Sequence, residues 1–359
     1  MRLSDFNFRS NAIGFLRLFF AAVVVWSHGF RTGGFGFDFV VYHSDAMLTA
    51  GLLAVGGFFV LSGFLITRSY ETSNSAGRFL WHRFLRIFPG FWVCLIVTAL
   101  ILGPIAYVRE FGTTSGYLFG QDTPWDYIFG NALLVIRHNT IGTLTAGLPF
   151  PNELNGSLWT LQWEFLCYVA IGVLGATSIL SRKPLVVVLL AAALLVLLAG
   201  SMYVFHSRGL TVVSRLLLLM NFFAMGSAAY LFRSWIPMRW WMALVAVLAV
   251  VVTLPTVVVG LIVPPCLAYL VLYAAMNLPM RSFDRRLDLS YGLYVYAFPL
   301  QQLLTIYGFN RLGFPIYLAA AISMALAIAM ASWFLIEKAA LSLKNAKIIN
   351  KRSQRQIVH

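Results

Sequence analysis

Charge is scarce in this sequence. Only 11% of its 359 residues are charged, where a soluble domain carries about a quarter. That shortage excludes an ordinary water-soluble enzyme. Acids are the scarcer sign, with 12 Asp and Glu against 26 Lys and Arg, for a net charge of +14. Cysteine is nearly absent: Cys94, Cys167 and Cys266 each lie inside an apolar run, and none has a neighbour at metal-ligand spacing. A disulfide framework and a zinc site are therefore excluded, and no metal is expected. The three thiols read as small buried apolar side chains. An excess of basic residues is the usual footprint of a nucleic-acid binder. Here the basic residues are divided among short segments between apolar runs, so nucleic acid is excluded as a partner.

What is abundant is apolar sequence, 60% of the chain. A membrane-spanning helix needs about 20 mostly apolar residues. Ten runs meet or approach that: 12–30, 48–67, 87–106, 157–178, 184–205, 212–232, 238–258, 260–277, 289–309 and 314–336. The first holds Arg17 and lacks a small-x-small exit, so it reads as a retained helix rather than a cleavable signal. Pro255 and Gly260 interrupt the seventh and eighth runs. With the N-terminus inside, nineteen Lys and Arg fall on the inner side and five on the outer, and Arg17 and Arg215 lie within runs. Positive charge is retained on the cytoplasmic side, so both termini are placed there. The expected fold is an all-α integral membrane protein, a bundle of about ten transmembrane helices. Residues 1–337 form the membrane domain and 338–359 a basic cytoplasmic tail. The longest loop, 107–156, lies outside. Its stretch Tyr127–Ile136 is too short to span and reads as re-entrant or interfacial.

Ionisable residues inside spans are expensive and usually face a bundle interior. Arg17 and His28 are eleven residues apart in the first run. That places them on one helical face, about 16 Å apart along the axis. Glu164, about seven residues into the fourth run, is expected in the outer half at a depth His28 shares. A carboxylate beside an imidazole suits general-base chemistry. The other reading is a helix-end histidine and a carboxylate paired with a stray cation. Arg83 and Arg86, at i,i+3 before the third run, suit a phosphate-bearing ligand. They equally suit a simple positive-inside anchor.

These residues lie in six stretches. In order they are IGFLRLFFAAVVVWSH (13–28), GGFFVLSGFLIT (56–67), FLWHRFLRIFPGFW (79–92), NGSLWTLQWEFLCY (155–168), SYGLYVYAFPLQQ (290–302) and FLIEKAALSL (334–343). Together they resemble the membrane-bound acyltransferase-3 family, which includes O-acetyltransferases of bacterial surface polysaccharides. Arg17 and His28 match the family's R-x10-H pair, Arg83 and Arg86 its R-x-x-R, and Glu164 its acidic position. Two departures stand out. The ninth run reads Tyr296, Ala297, Phe298, Pro299, without the histidine many members carry there. No hydrolase-like domain is expected after the last span.

The resemblance implies acyl transfer in the inner membrane of a bacterial-type cell, from acyl-CoA, most often acetyl-CoA, as co-substrate rather than bound cofactor. The implied acceptor is a hydroxyl of a glycan or glycolipid such as an O-antigen or exopolysaccharide, and membrane lipids surround the protein. Arg17, Arg83 and Arg86 then hold the CoA phosphates at the inner surface, and the pantetheine arm reaches toward His28. His28 acts as general base oriented by Glu164, or carries the acyl group itself; the sequence leaves both routes open. Ser62, Ser157, Trp159, Trp163 and Tyr168 are candidate lining residues, or packing residues of the bundle. The competing function is a transporter or flippase for a polar or lipid-linked substrate, although no inverted repeat of the kind common in transporters is visible.

Overall fold

The computed structural model describes residues 1–345 except 45–46, 74, 183, 205–210, 257, 282 and 284–286. The predicted basic tail falls outside the described residues from 346 onward. The described chain is all helical, and each predicted run has its helix: α1 Ile13–Thr32, α2 Ala50–Glu71, α3 Ala76–Phe111, α4 Trp159–Ala176, α5 Pro184–Val204, α6 Val212–Leu231, α7 Trp240–Thr253, α8 Val259–Asn277, α9 Ser290–Ile306 and α10 Phe314–Ser342. Eight are long and apolar enough to cross a membrane, and the protein is a multi-pass membrane protein. The other two are α7, of 14 residues, and α9, of 17.

Local chemistry sets the helix ends. Thr49, Ser75 and Thr211 each accept a backbone N–H at the start of α2, α3 and α6, satisfying donors a helix start leaves unpaired. The cap at Ser75 lets α3 begin eleven residues before the apolar run starts, so Arg83 and Arg86 lie inside the helix rather than ahead of it. Gly112, at φ 71°, closes α3 in the left-handed conformation, which glycine adopts without strain. The sequence reading extends the seventh run to 258, but α7 stops at Thr253, two residues before Pro255. Pro255 has no N–H to donate into a continuing helix, and its ring crowds the preceding turn.

The middle of the bundle is α9, in which every residue from Ser290 to Thr305 is buried. It needs less apolar character than its neighbours because protein surrounds it. It packs alongside α1 in parallel: Arg17 meets Asp288, His28 meets Phe298, and Thr305 donates to the Thr32 carbonyl. A second close pair is α2 with α6. A Cβ on Gly63 would stand 2.1 Å from the Phe223 carbonyl oxygen, and one on Gly226 2.1 Å from that of Val60. Small residues here allow the backbones to touch, as membrane helix pairs often require.

Pro299 links the long loop to this centre. A proline inside a helix frees the carbonyl four residues earlier, here that of Val295. The Asn155 side chain donates to it at 2.8 Å and the Cys94 thiol at 3.3 Å. The loop ahead of α4 therefore descends to the middle of α9 before the helix begins. The stretch Tyr127–Ile136, expected to be re-entrant or interfacial, overlaps a short helix, Pro124–Asn131, opened by a Thr123–Asp126 capping box. The descent falls further along the loop, near Asn155.

Candidate active site

A cavity of about 340 Å³ opens at the end of the bundle where α1 and α9 begin. Arg17 of α1, Arg83 and Arg86 of α3, and Lys344, just past α10, line it with Asp288, Glu164, Ser62 and Tyr168. Four cations and two carboxylates thus share one small space.

Asp288 organises the cations. Its Oδ2 accepts from Arg17 Nη1 at 2.8 Å and also from Arg86 Nη2. Its Oδ1 accepts from the Ser290 hydroxyl at 2.6 Å and the Ser290 N–H at 3.2 Å. Burial alone would push this carboxyl up, but the two guanidiniums outweigh it and hold Asp288 well below the usual carboxylate range. Glu164 is engaged separately. Its Oε1 accepts from the Ser62 hydroxyl at 2.7 Å and from the Tyr168 hydroxyl one helical turn on. Arg83 has no ion-pair partner among the described residues, and its Nε is buried without a hydrogen bond.

The cavity rises to Val55, Thr160 and Tyr294. There the Tyr294 hydroxyl pairs with Thr160 Oγ1 at 2.6 Å and donates to the Ser157 carbonyl at 2.9 Å, closing the upper end. One turn further along α9 is Phe298, whose ring meets the His28 imidazole edge-on, with centroids 5.2 Å apart. Among the described residues no hydrogen bond reaches that imidazole. Beside Phe298 lie Phe150 and the Glu153–Gly156 segment. Gln302 donates to the Phe150 and Glu153 carbonyls, both at 2.7 Å. Arg31 lies over the Phe150 ring at 4.3 Å. Burial pushes the Glu153 carboxyl up, and the Arg31 and Arg215 charges hold part of that rise back.

The structure brings Arg17, Arg83, Arg86, Glu164, Ser62 and Tyr168 into one cavity. It does not bring His28 and Glu164 to one level. Glu164 shares its cavity with Arg17 and Asp288, whereas His28 meets Phe298, ten residues or about 15 Å along α9 from Asp288. The expected depth of Glu164 is corrected by the loop, which descends to Val295 before α4 starts and so carries the glutamate deeper. Ser157 is buried next to Tyr294, and Trp159 and Trp163 pack against the core; none of the three lines the cavity.

Asp288, Thr160, Tyr294 and Lys344 were not singled out in the sequence. A count of basic residues alone passes over Asp288. Its signal is an acid two residues before a helix unusually rich in Tyr and Gln. Lys344 is indistinguishable in sequence from the other basic residues of the tail.

The chain matches the profile of an acyltransferase domain over residues 10–334. It is 30% identical over 362 residues to an O-acetyl transferase of Shigella phage Sf6, across 95% of this chain and 98% of the relative. It is 28% identical over 367 residues to nodulation protein 10 of Rhizobium leguminosarum bv. viciae, across 96% of each. A shorter match, 32% identical over 121 residues, covers 34% of the chain and 27% of the acyltransferase MdmB of Streptomyces mycarofaciens. No solved structure matches it significantly. The chain belongs to the acyltransferase-3 family and is a membrane acyltransferase.

Proposed function

We propose that, as a member of this family, the protein is an O-acyltransferase that moves an acetyl group from acetyl-CoA to a hydroxyl of a cell-surface glycan or glycolipid. The phage relative, which matches over nearly its whole length and is named an O-acetyl transferase, supports the acetyl group and the oxygen acceptor. In this reading the protein sits in a bacterial inner membrane with both termini cytoplasmic. Residues 1–337 are the catalytic membrane domain, and the cavity is the donor's entrance.

One observation carries the reading: the parallel packing of α1 on α9. It sets the cationic cavity at one end of a shared seam and His28 eleven residues, about 16 Å, further along it. A phosphate-bearing head and a long thin arm ending in a thioester fit that division. The head rests among Arg17, Arg83 and Arg86, and the arm runs up past Tyr294. The His28 imidazole takes the proton of the acceptor hydroxyl as the oxygen attacks the thioester carbonyl. The C–S bond breaks, and the imidazolium returns the proton to the departing thiolate. Glu164, far from His28, serves the donor end by facing the Arg83 charge.

Purified protein supplied with acetyl-CoA labelled in the acetyl group tests this, with mass spectrometry of surface glycans from cells with and without the gene. Expected are label transfer to an extracted glycan and a mass gain of about 42 Da per acetyl group that replaces a hydroxyl hydrogen. Translocation of a substrate without chemical change would instead select the transporter reading.

A further inference from the structure

We infer that Lys344 and Arg83 together form the phosphate grip of the cavity, while Asp288 holds Arg17 and Arg86 as its fixed wall. The inference rests on the donor reading for the identity of the ligand, but its chemistry, recognition of a phosphate or diphosphate, stands on the cavity itself.

Four cations line the cavity. Asp288 takes two of them, Arg17 and Arg86, on a single oxygen, and its other oxygen is filled by Ser290. The Glu164 oxygen that accepts hydrogen bonds does so from Ser62 and Tyr168. Arg83 and Lys344 are left without an ion pair among the described residues. Cations gathered in a partly buried space repel one another, and an entering anion relieves that repulsion.

Placement supports the pairing. Lys344 lies two residues past the end of α10, on a short 3-10 turn. His82, the residue before Arg83 on α3, meets the Lys344 carbonyl oxygen through Nε2 at 3.2 Å. The backbone at Lys344 is thus docked on the helix that carries Arg83. Burial, with the Arg83 and Arg86 charges, pushes the Lys344 ammonium below its ordinary value, as expected of a cation without a counter-ion. The two side chains are also complementary. Arg83 presents a flat fork to two phosphate oxygens, and Lys344 a compact charge with three rotatable donors. Lys344 lies beyond residue 334, where the family match ends.

The test is calorimetry on the full-length detergent-purified protein with two probes used separately, inorganic pyrophosphate and CoA. The variants are K344Q and K344R, with thermal unfolding run alongside to verify that each is folded. Both probes are expected to bind the unaltered protein. K344Q should weaken each about tenfold, as loss of a charge-assisted hydrogen bond does, and K344R should restore most of it. In turnover the K344Q loss should appear as a raised KM for the acyl donor with kcat nearly unchanged, a split that a general loosening of the fold would not give. Equal affinity in K344Q and the unaltered protein overturns the inference, as does failure of the unaltered protein to bind either probe. Lysine-dependent binding of pyrophosphate without binding of CoA sustains the phosphate grip and overturns the donor reading instead.

Discussion

At the residue scale the site divides into two groups with different jobs. His28 is alone with an aromatic ring, and its consequence is chemical. His28→Gln is expected to lower transfer by about a hundredfold or more while CoA affinity, measured by calorimetry, stays unchanged. Glu164→Gln keeps an acceptor for Ser62 and Tyr168 but removes the charge facing Arg83, so its expected effect is on donor KM. Asp288 is structural. Replacing it by Ala leaves two guanidiniums facing each other without a partner, a loss of about 3 kcal/mol, to be read as a lowered unfolding temperature in detergent. Its pH dependence has a definite sign. The folded carboxyl lies below its ordinary value of 3.8. The stability it contributes is therefore complete above that pH and lost as pH falls below it. Asp288→Asn should remove that part of the acid sensitivity.

At the element scale the decisive contacts are backbone contacts. Gly63→Val or Gly226→Val would drive a side chain into a carbonyl on the facing helix. Either is expected to separate α2 from α6 and leave little folded protein by size-exclusion chromatography. Asn155→Ala leaves the Val295 carbonyl with only the weak Cys94 thiol donor. Loss of a buried partner costs about 1–3 kcal/mol, so thermal unfolding should shift down without loss of insertion. The sequence showed α1, α2 and α6 clearly because their apolar runs coincide with their helices. It hid the true start of α3, whose first turns carry His82, Arg83 and Arg86 against protein rather than lipid. It also hid the depth of Glu164, because the descent of residues 139–158 is fixed by the bond from Asn155 to a carbonyl freed by Pro299.

At the scale of the whole molecule the two groups occupy opposite ends of one seam, with the Tyr294–Thr160 pair between them. Tyr294→Phe removes the hydroxyl that holds both Thr160 and the Ser157 carbonyl. If this closure separates donor from acceptor, the variant should hydrolyse acetyl-CoA faster in the absence of acceptor, measured as free thiol release; an unchanged rate would show that the closure does not limit water. The orientation is testable in intact cells with a membrane-impermeant thiol reagent. Thr113→Cys in the long loop should label, and Ser234→Cys between α6 and α7 should not, each position being exposed. The reverse pattern would place the cationic cavity on the outer face and remove acetyl-CoA as its ligand.

The sequence by itself determined the class of molecule, the ten helices and the motif residues. Transfer of apolar side chains out of water and the asymmetry of basic residues are local, additive properties that need no partner. Tertiary structure decided which of the unusual residues belong together. Arg17 and Arg86 meet on Asp288, more than two hundred residues beyond either in the chain, which reaches across from the start of α9. His28 and Glu164 part because a proline on one helix frees a carbonyl that draws a distant loop inward. Such pairings depend on distances between helices, and hydropathy along a single chain carries no record of them.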